Sequence, residues 1–398
     1  MLENIYVGMS GLTAYSKGLQ TISNNVANMN SPGFKATVPS FADLYFSPSF
    51  APGTSDHSSS MRFGTGVEYG YASLNFHQGE LRPSSGQLDL ALQGDGFLAV
   101  VDDTGTHYIR TGQFTAGDDG FITDKVTHMK LAALGANGRP EAISLVGKTI
   151  SAPEATTSVS FTDNLSSSAT AFSIPNVEVY DAAGGKHTLT VAFKPDSATF
   201  PGRWAVTVTD ENSTTVAEGP LQFLGGIPEP GMDSLDVHLA AAGTTPLNFK
   251  LDFSSGVTSF SSGSTSTLRV SKSDGHASGS LATLTVDDAG ALTIGYSNGK
   301  NAKLGTVALA RFTDEQALYQ SGNGLFDASH TAPPAYVGSG TGGVGKLVSG
   351  QLESSNVDLS TEFGRMILIQ RGFQASSQVI STANEMLVQL FQMRGNQG

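Results

Sequence analysis

The sequence predicts a multidomain, mainly β protein: two nested β-rich domains bracketed by N- and C-terminal α-helices that pair as a coiled coil. Three observations carry that reading. Apolar residues recur at helical spacing at the two ends of the chain and nowhere between them. Alternating strand-like runs, separated by Asp/Gly turns, fill the interior. The composition is that of turn-rich β structure, with 39% hydrophobic and 14% charged residues and 47 glycines among 398 residues. A chain of this length exceeds one hydrophobic core, so two or three domains are expected.

The first helix is predicted over residues 4–29. Ile5, Leu12, Leu19 and Val26 fall seven apart, and Tyr15, Ile22 and Met29 each follow one of the last three by three residues, giving a 3,4 seam. Gly8, Gly11 and Gly18 interrupt it, each weakening an isolated helix by roughly 1 kcal/mol relative to Ala. Four asparagines, Asn24, Asn25, Asn28 and Asn30, precede a stop at Ser31-Pro32-Gly33. Their amides are expected to satisfy the last carbonyls, and Gly33 to supply a positive φ after the helix.

Residues 34–66 read as an extended linker, with Pro39, Pro48 and Pro52 and a Ser-rich stretch at 54–60. Strands then begin with VEYGYASLNF, LDLALQGDGFLAVV, HYIRTGQFTA and FITDKVTHMKLAAL, joined at hairpin spacing by turns such as Asp102-Asp103-Thr104-Gly105. Composition shifts to Ser/Thr near residue 150, and a second block follows through VEVYDAAGGKHTLTVAFK, RWAVTVTD, LDVHL and NFKLDF, with Trp204 as a core residue. It closes in the Ser/Gly tract 254–280. The expected layout is a terminal helical domain (1–33 and 352–398), the linker, a middle β domain (67–145 and 281–351) and an inserted outer β domain (146–280).

The last helix repeats the pattern of the first. Leu359, Met366, Phe373, Ile380 and Leu387 fall seven apart, and Ile369, Ala383 and Leu390 supply the partner column, with Ser376 as its weak member. No proline occurs over 358–394, and Asp358 or Asn356 is the expected N-cap. Termini of folded domains tend to lie close together, so nesting brings the two helices side by side. Two helices alone bury too little to offset their ordering entropy. Copies of the same chain are the expected further partners, with both ends ordering on assembly.

The formal charge is −13. Lys17 and Lys35 against Glu3 leave residues 1–35 at +1, and Arg365, Arg371 and Arg394 cancel Asp358, Glu362 and Glu385. The acidic middle lacks the basic footprint that nucleic-acid binding requires. Cysteine is absent, which excludes disulfides and thiolate chemistry. The opening residues carry Glu3 and no basic or unbroken apolar region, so no cleaved signal peptide and no membrane insertion are expected.

Motifs for catalysis or cofactors are not found. The eight histidines never fall closer than twenty residues apart, so no short metal-ligand spacing exists. Gly340-Thr341-Gly342-Gly343-Val344-Gly345 fits G-x-G-x-x-G, but Pro333-Pro334 precedes it and KLVSGQLESS follows, which favours a linker over a dinucleotide site. No G-x-S-x-G elbow or phosphate-binding loop occurs. No catalytic, metal or cofactor residue is therefore nominated, and an enzyme is not expected; a carboxylate pair in some cleft stays open.

The terminal stretches carry a resemblance. NNVANMNSPGFKA at 24–36 resembles the N-terminal signature of the flagellar rod and hook axial protein family, on Asn25, Ala27, Asn28, Asn30, Gly33, Phe34 and Lys35. SGQLESSNVDLSTEFGRMILIQRGFQASS, from residue 349, is similar to its C-terminal signature, on Leu352-Glu353, Ser355-Asn356-Val357-Asp358-Leu359, Gln370 and Arg371. LDLALQGDGFLAVV and YSNGKNAKLGTVALARF resemble its interior segments. Two places depart from the family pattern: Thr313-Asp314-Glu315-Gln316-Ala317, and Gly372-Phe373 where a Tyr is commoner.

Length favours the hook branch of that family over the rod branch, which lacks so large an insertion. The resemblance implies a homo-polymeric helical tube, short and curved, outside the cell at the flagellar base. It would act as a universal joint and as an export channel. Paired helices would line that channel, with the seam columns Ile5, Leu12, Tyr15, Leu19, Ile22 and Val26, and Leu359, Met366, Ile369, Phe373, Ile380, Leu387 and Leu390, as its assembly interface. It also implies partners: a distal rod protein, the hook cap, a hook–filament junction protein, a hook-length control protein and the flagellar type III export apparatus. A distal rod protein with an inserted domain, and a secreted β-rich adhesin, are the alternatives.

Overall fold

The computed structural model describes residues 2–44, 46–48, 62–196, 200–239, 246–328 and 333–395. The Ser-rich stretch 54–60, Pro52, His57 and His330 lie outside the described residues. Two helices bracket the chain, α1 over Leu2–Ala27 and α2 over Leu359–Gly395, and β-strands fill the interval between them apart from one short 3₁₀ turn at Glu315–Ala317. The predicted terminal helices and β interior are thus both present.

The chain divides into two compact units. Unit 1 comprises residues 1–146, 284–293 and 303–398, and unit 2 comprises 147–283 and 294–302. Both helices and the segment after α1 belong to unit 1.

In unit 1 the strands Asp89–Gln93, Phe97–Val101, Thr106–Ile109, Thr111–Ala116, Ile122–Asp124 and Lys130–Leu134 form an antiparallel sheet. Strands from much later in the chain complete it: Leu309–Arg311 pairs with Phe97–Val101, and Lys346–Ser349 with Asp89–Gln93. LDLALQGDGFLAVV reads as an apolar run because both strands in it are buried almost throughout. Its glycines mark the turn between them. An aromatic cluster of Phe97, Tyr108, Phe312 and Phe326 packs below the sheet, with Tyr108 and Phe312 edge to face at 4.8 Å.

The Gly-rich segment 340–345 is a tight loop between the strands Ala335–Val337 and Lys346–Ser349. Gly340 donates to the Gly345 carbonyl at 3.0 Å, and the Arg311 guanidinium donates to the Gly342 carbonyl at 2.7 Å. The strand Lys346–Ser349 follows it directly, where a dinucleotide-binding turn would open into a helix.

Unit 2 is built on two sheets. One runs Phe172–Tyr180, Lys186–Pro195, Arg203–Thr209, Thr215–Leu224 and Ile227–Pro228, antiparallel throughout. The other centres on Ser158–Asn164, which pairs in parallel with Leu247–Asp252 and antiparallel with Arg269–Ser273. Strict alternation in RWAVTVT puts Trp204, Val206 and Val208 into one core with Phe161, Phe193 and Phe253.

The Ser/Gly tract 254–280 is ordered inside unit 2. It contributes the strand Arg269–Ser273. Side chains pin the rest: the Asn164 amide donates to the Phe260 carbonyl at 3.0 Å and accepts from its N–H at 2.8 Å, and the Ser166 hydroxyl donates to the Gly263 carbonyl. Residues outside the tract supply those bonds, so its own composition could not reveal them.

Candidate assembly site

The two helices pack antiparallel, and the contact is closer than large seam residues allow. A Cβ on Gly8 would stand 2.6 Å from Ile380 Cγ1, and one on Gly11 would stand 2.5 Å from Ser376 Oγ. On the facing helix, a Cβ on Gly372 would stand 2.7 Å from the Tyr15 ring. Gly18 sits against Ile369 and Phe41 in the same way. The glycines that appeared to interrupt the seam are its contact surface. Gly8, Tyr15 and Ile22 form one column and Gly11, Gly18 and Asn25 the other, so the spacing is still 3,4 but its second column lies one residue before the expected one. Small residues let the two backbones approach closely enough to gain dispersion along their length.

This register sorts the nominated residues. Ile22 is fully buried, Ile369 is buried, and Ala383 lies in the same face of α2. Tyr15, Met366, Ile380 and Leu387 are half-buried on that face or opposite it, and Ile5, Leu12, Leu19 and Val26 are half-buried on its flank. Leu359, Phe373 and Leu390 are not brought into the pair: they stand 37%, 41% and 49% exposed. They join Phe363, Ile367, Leu368 and Phe391 among the large apolar side chains of α2 that stand exposed.

Short strands after α1 lie along it. Phe41, from Phe41–Asp43, has its ring centroid 5.4 Å from that of Tyr15, and the Tyr69 hydroxyl meets Thr21 Oγ1 at 2.6 Å. Residues 34–44 are therefore extended, and they are packed against α1.

At the other end of α1 the asparagines separate by role. Asn25, fully buried, is bound to the backbone of Thr37 in both directions: its amide donates to the Thr37 carbonyl at 2.8 Å, and its Oδ1 accepts from the Thr37 N–H at 2.9 Å. Asn28 donates to the Asn24 carbonyl at 2.9 Å, the expected service to the helix end, and accepts from Ser31 Oγ at 3.1 Å. Ala27 and Asn30 are exposed. Gly33 has φ +68°, as the turn demands, and its N–H donates to the Glu353 carbonyl at 2.8 Å.

That last bond leads to a buried polar hub at the roots of both helices. The Lys35 ammonium donates to Glu353 Oε1 at 2.7 Å and to the His77 carbonyl at 2.8 Å, with both side chains fully buried. Arg110, from the central strands, donates from Nε to Glu353 Oε2 at 3.1 Å and from Nη2 to the Gly94 carbonyl at 2.7 Å. The Gly79 N–H adds a third donor to the Glu353 carboxylate, at 2.9 Å. Burial holds the Lys35 pKa below its usual value, opposed by the attraction of Glu353. Glu315 lies within electrostatic reach, and burial together with neighbouring Asp95 raises its pKa. Two cations thus face two carboxylates.

Around the hub, Asn356 accepts from the Ala36 N–H at 2.8 Å and donates to the Asn75 and His77 carbonyls. Asp358, not Asn356, caps α2: its Oδ1 accepts from the Thr361 N–H at 2.8 Å, and these backbone bonds hold its carboxyl below the ordinary range. Phe34, Ser355 and Val357 are half-buried beside them, while Gln370 and Arg371 are exposed on α2. Arg110 was missed in the sequence. Its signal was a lone charge in HYIRTGQFTA, a strand run otherwise without formal charge at neutral pH.

No group of three or more His, Cys, Asp or Glu side chains placed to hold a metal ion occurs among the described residues.

Comparison with known proteins matches three stretches of the chain to family models. Residues 5–35 match the flagella basal body rod protein family, 147–276 the flagellar basal body protein FlaE D2 domain, and 348–393 the flagellar basal body rod FlgEFG protein C-terminal family. The flagellar hook protein FlgE of Salmonella typhimurium is 30% identical over 416 residues, covering 97% of this chain and 98% of that protein. That of Escherichia coli K12 is 29% identical over 415 residues, with the same coverage. The crystal structure of Helicobacter pylori flagellar hook protein FlgE2 has a TM-score of 0.48 at 13% identity, covering 69% of this chain and 100% of that one.

Proposed function

The chain belongs to the flagellar hook protein family, and we propose that it is a structural subunit that self-assembles through its paired terminal helices into a short curved tube. That tube joins rod to filament as a universal joint and leaves a central channel for exported subunits. The observation that carries the reading is the helix pair itself. Its two family-matched ends pack on each other through glycines, and α2 is left with exposed Phe363, Ile367, Leu368, Phe373 and Phe391. An apolar surface of that extent on a water-soluble helix calls for a partner, and in a homo-polymer the partner is another copy.

The residues proposed to make contacts between copies are those left uncovered, Leu359, Phe373 and Leu390 among them. The half-buried flank of α1, with Ile5, Leu12, Leu19 and Val26, supports them. Placement outside the cell, export without a cleaved signal, and contacts with rod, cap, junction, length-control and export proteins belong to the same proposal.

Immuno-electron microscopy with antibody raised against residues 147–283 tests it. Label on a short curved segment at the flagellar base is the expected result. Label that appears only after the outer membrane is stripped makes the chain a rod protein, and label spread over the cell surface makes it an adhesin.

A further inference from the structure

The chain contains three Asn-Gly pairs: Asn137-Gly138, Asn298-Gly299 and Asn323-Gly324. In such a pair the second residue has no side chain, so its backbone nitrogen can reach the asparagine side-chain carbonyl, and the asparagine is thermolabile. Two conditions govern that attack in a folded chain. The glycine N–H must be free to lose its proton, and the asparagine side chain must be free to turn toward it. All three pairs sit in turns between neighbouring antiparallel strands, so the turn alone does not separate them.

Their hydrogen bonds do. The Gly138 N–H donates to the Gly135 carbonyl at 2.9 Å, and the Gly299 N–H to the Tyr296 carbonyl at 3.0 Å. Asn298 is held further: its amide donates to the Ala277 carbonyl at 2.9 Å, and its Oδ1 accepts from the Lys300 N–H at 3.1 Å. At Asn323-Gly324 neither the Gly324 N–H nor the Asn323 amide has a hydrogen-bond partner among the described residues, and Asn323 is exposed. This turn has only two residues between its strands, with φ +51° at Asn323 and +76° at Gly324. In that geometry the flanking residues, Gly322 and Leu325, pair with each other and leave the glycine N–H outside the ladder.

We propose that Asn323 is a site of spontaneous deamidation in the folded protein, the one of the three Asn-Gly pairs that folding leaves reactive. The Gly324 nitrogen gives up its proton and bonds to Asn323 Cγ, the Cγ–Nδ2 bond breaks, and ammonia leaves with that proton. Water then opens the cyclic imide. Breaking its bond from nitrogen to Cγ yields aspartate, and breaking the bond from nitrogen to the main-chain carbonyl carbon yields isoaspartate. Water is the only co-reactant. Either product puts a carboxylate on the turn, and isoaspartate also lengthens the main chain by one methylene. The strand before the turn carries Gln320, whose side-chain amide donates to the Lys35 carbonyl at 3.0 Å. The change therefore falls on a strand tied to the segment that enters the hub. The reaction does not depend on polymerisation.

The test compares the native chain with the same chain unfolded in urea. Both are held at mildly alkaline pH and digested with a protease active in acid. Their peptides are then followed by mass spectrometry, with enzymatic methylation of isoaspartate as a second readout. In the native chain Asn323 should be modified several-fold faster than Asn137 or Asn298, whereas in urea the three pairs should react at similar rates. Asn323→Gly keeps a residue at ease with positive φ and removes the reactive amide, so the isoaspartate signal of the native chain should fall to the level of the other two pairs. The proposal is overturned if folding slows Asn323 as much as it slows Asn137 and Asn298, or if either of those reacts as fast as Asn323 in the native chain.

Discussion

In unit 2 the large side chains Phe161, Phe193, Trp204 and Phe253 are nearly or fully shielded from solvent, whereas on α2 Phe363, Phe373 and Phe391 are 48%, 41% and 70% exposed. The same residue type serves two purposes. Unit 2 alternates apolar and polar positions at the period of a strand, and two sheets close over the apolar set. The helices carry apolar residues around more of their circumference than one partner can cover, and their mutual contact uses glycine. One region is complete within a single chain, and the other leaves large apolar side chains uncovered, the surface proposed to be completed by assembly. Stability should accordingly reside within unit 2 for the first and depend on concentration for the second.

The largest effect expected is at the hub. Glu353→Gln strands the buried Lys35 and Arg110 cations, and breaking a buried ion pair from one side costs about 3–5 kcal/mol. The loss should fall on unit 1 alone. Trp204 is the single tryptophan and lies in the unit 2 core, so its fluorescence reports unit 2 while far-UV circular dichroism near 222 nm follows the helices. In urea the helical transition should move to lower concentration with the fluorescence transition unmoved. Movement of both together would show that the two regions are one cooperative unit.

Next in size is the helix seam. Propensity alone says that Gly8→Ala stabilises α1 by about 1 kcal/mol. The close approach to Ile380 says the opposite, a loss of about 1–3 kcal/mol from overpacking. The sign decides between a seam made by glycine and one merely interrupted by it, and amide exchange over residues 5–15 reads it. Phe373→Asp should change the stability of the isolated chain by no more than about 0.5 kcal/mol, as for other exposed sites, yet abolish tube formation. Leu19→Asp, on the half-buried flank, should do the same with a larger cost to the helix pair. Normal tubes from Phe373→Asp would remove the outer face of α2 from the assembly.

Much of this contrast was legible in the sequence. Strand runs from Val67 to Asp252 fall where alternation put them, because period-two patterning follows directly from one buried face. The two helices and the cap at Asp358 follow from spacing and from a side chain able to accept N–H bonds. The seam was half legible. Counting large residues found Tyr15 and Ile22 but passed over Gly8, Gly11 and Gly18, since a pattern based on size cannot see a contact made by the absence of a side chain. The hub was legible only in its parts. Lys35 and Glu353 lie 318 residues apart, and nothing local says that a strand arginine, Arg110, will meet them.

The smallest effect tests whether the turns of unit 1 stand apart from its hub. Asp102, in a hairpin turn, accepts from the Thr104 hydroxyl at 2.6 Å and from the Thr104 and Gly105 N–H groups, and its pKa is lowered to about 2, chiefly by the hydroxyl bond. A carboxylate with a depressed folded-state pKa adds stability above its unfolded value of about 4, and that contribution is lost as pH falls from about 4 toward 2. Asp102→Asn keeps the shape of the turn and removes the titration. Its acid-unfolding curve should therefore be flatter than that of the parent between pH 4 and about 2 in the helical signal, while the Trp204 signal of unit 2 stays superimposable. A parent and variant with identical curves would mean that the turn opens before its carboxylate is protonated. The acid response of unit 1 would then have to be sought among its buried carboxylates instead.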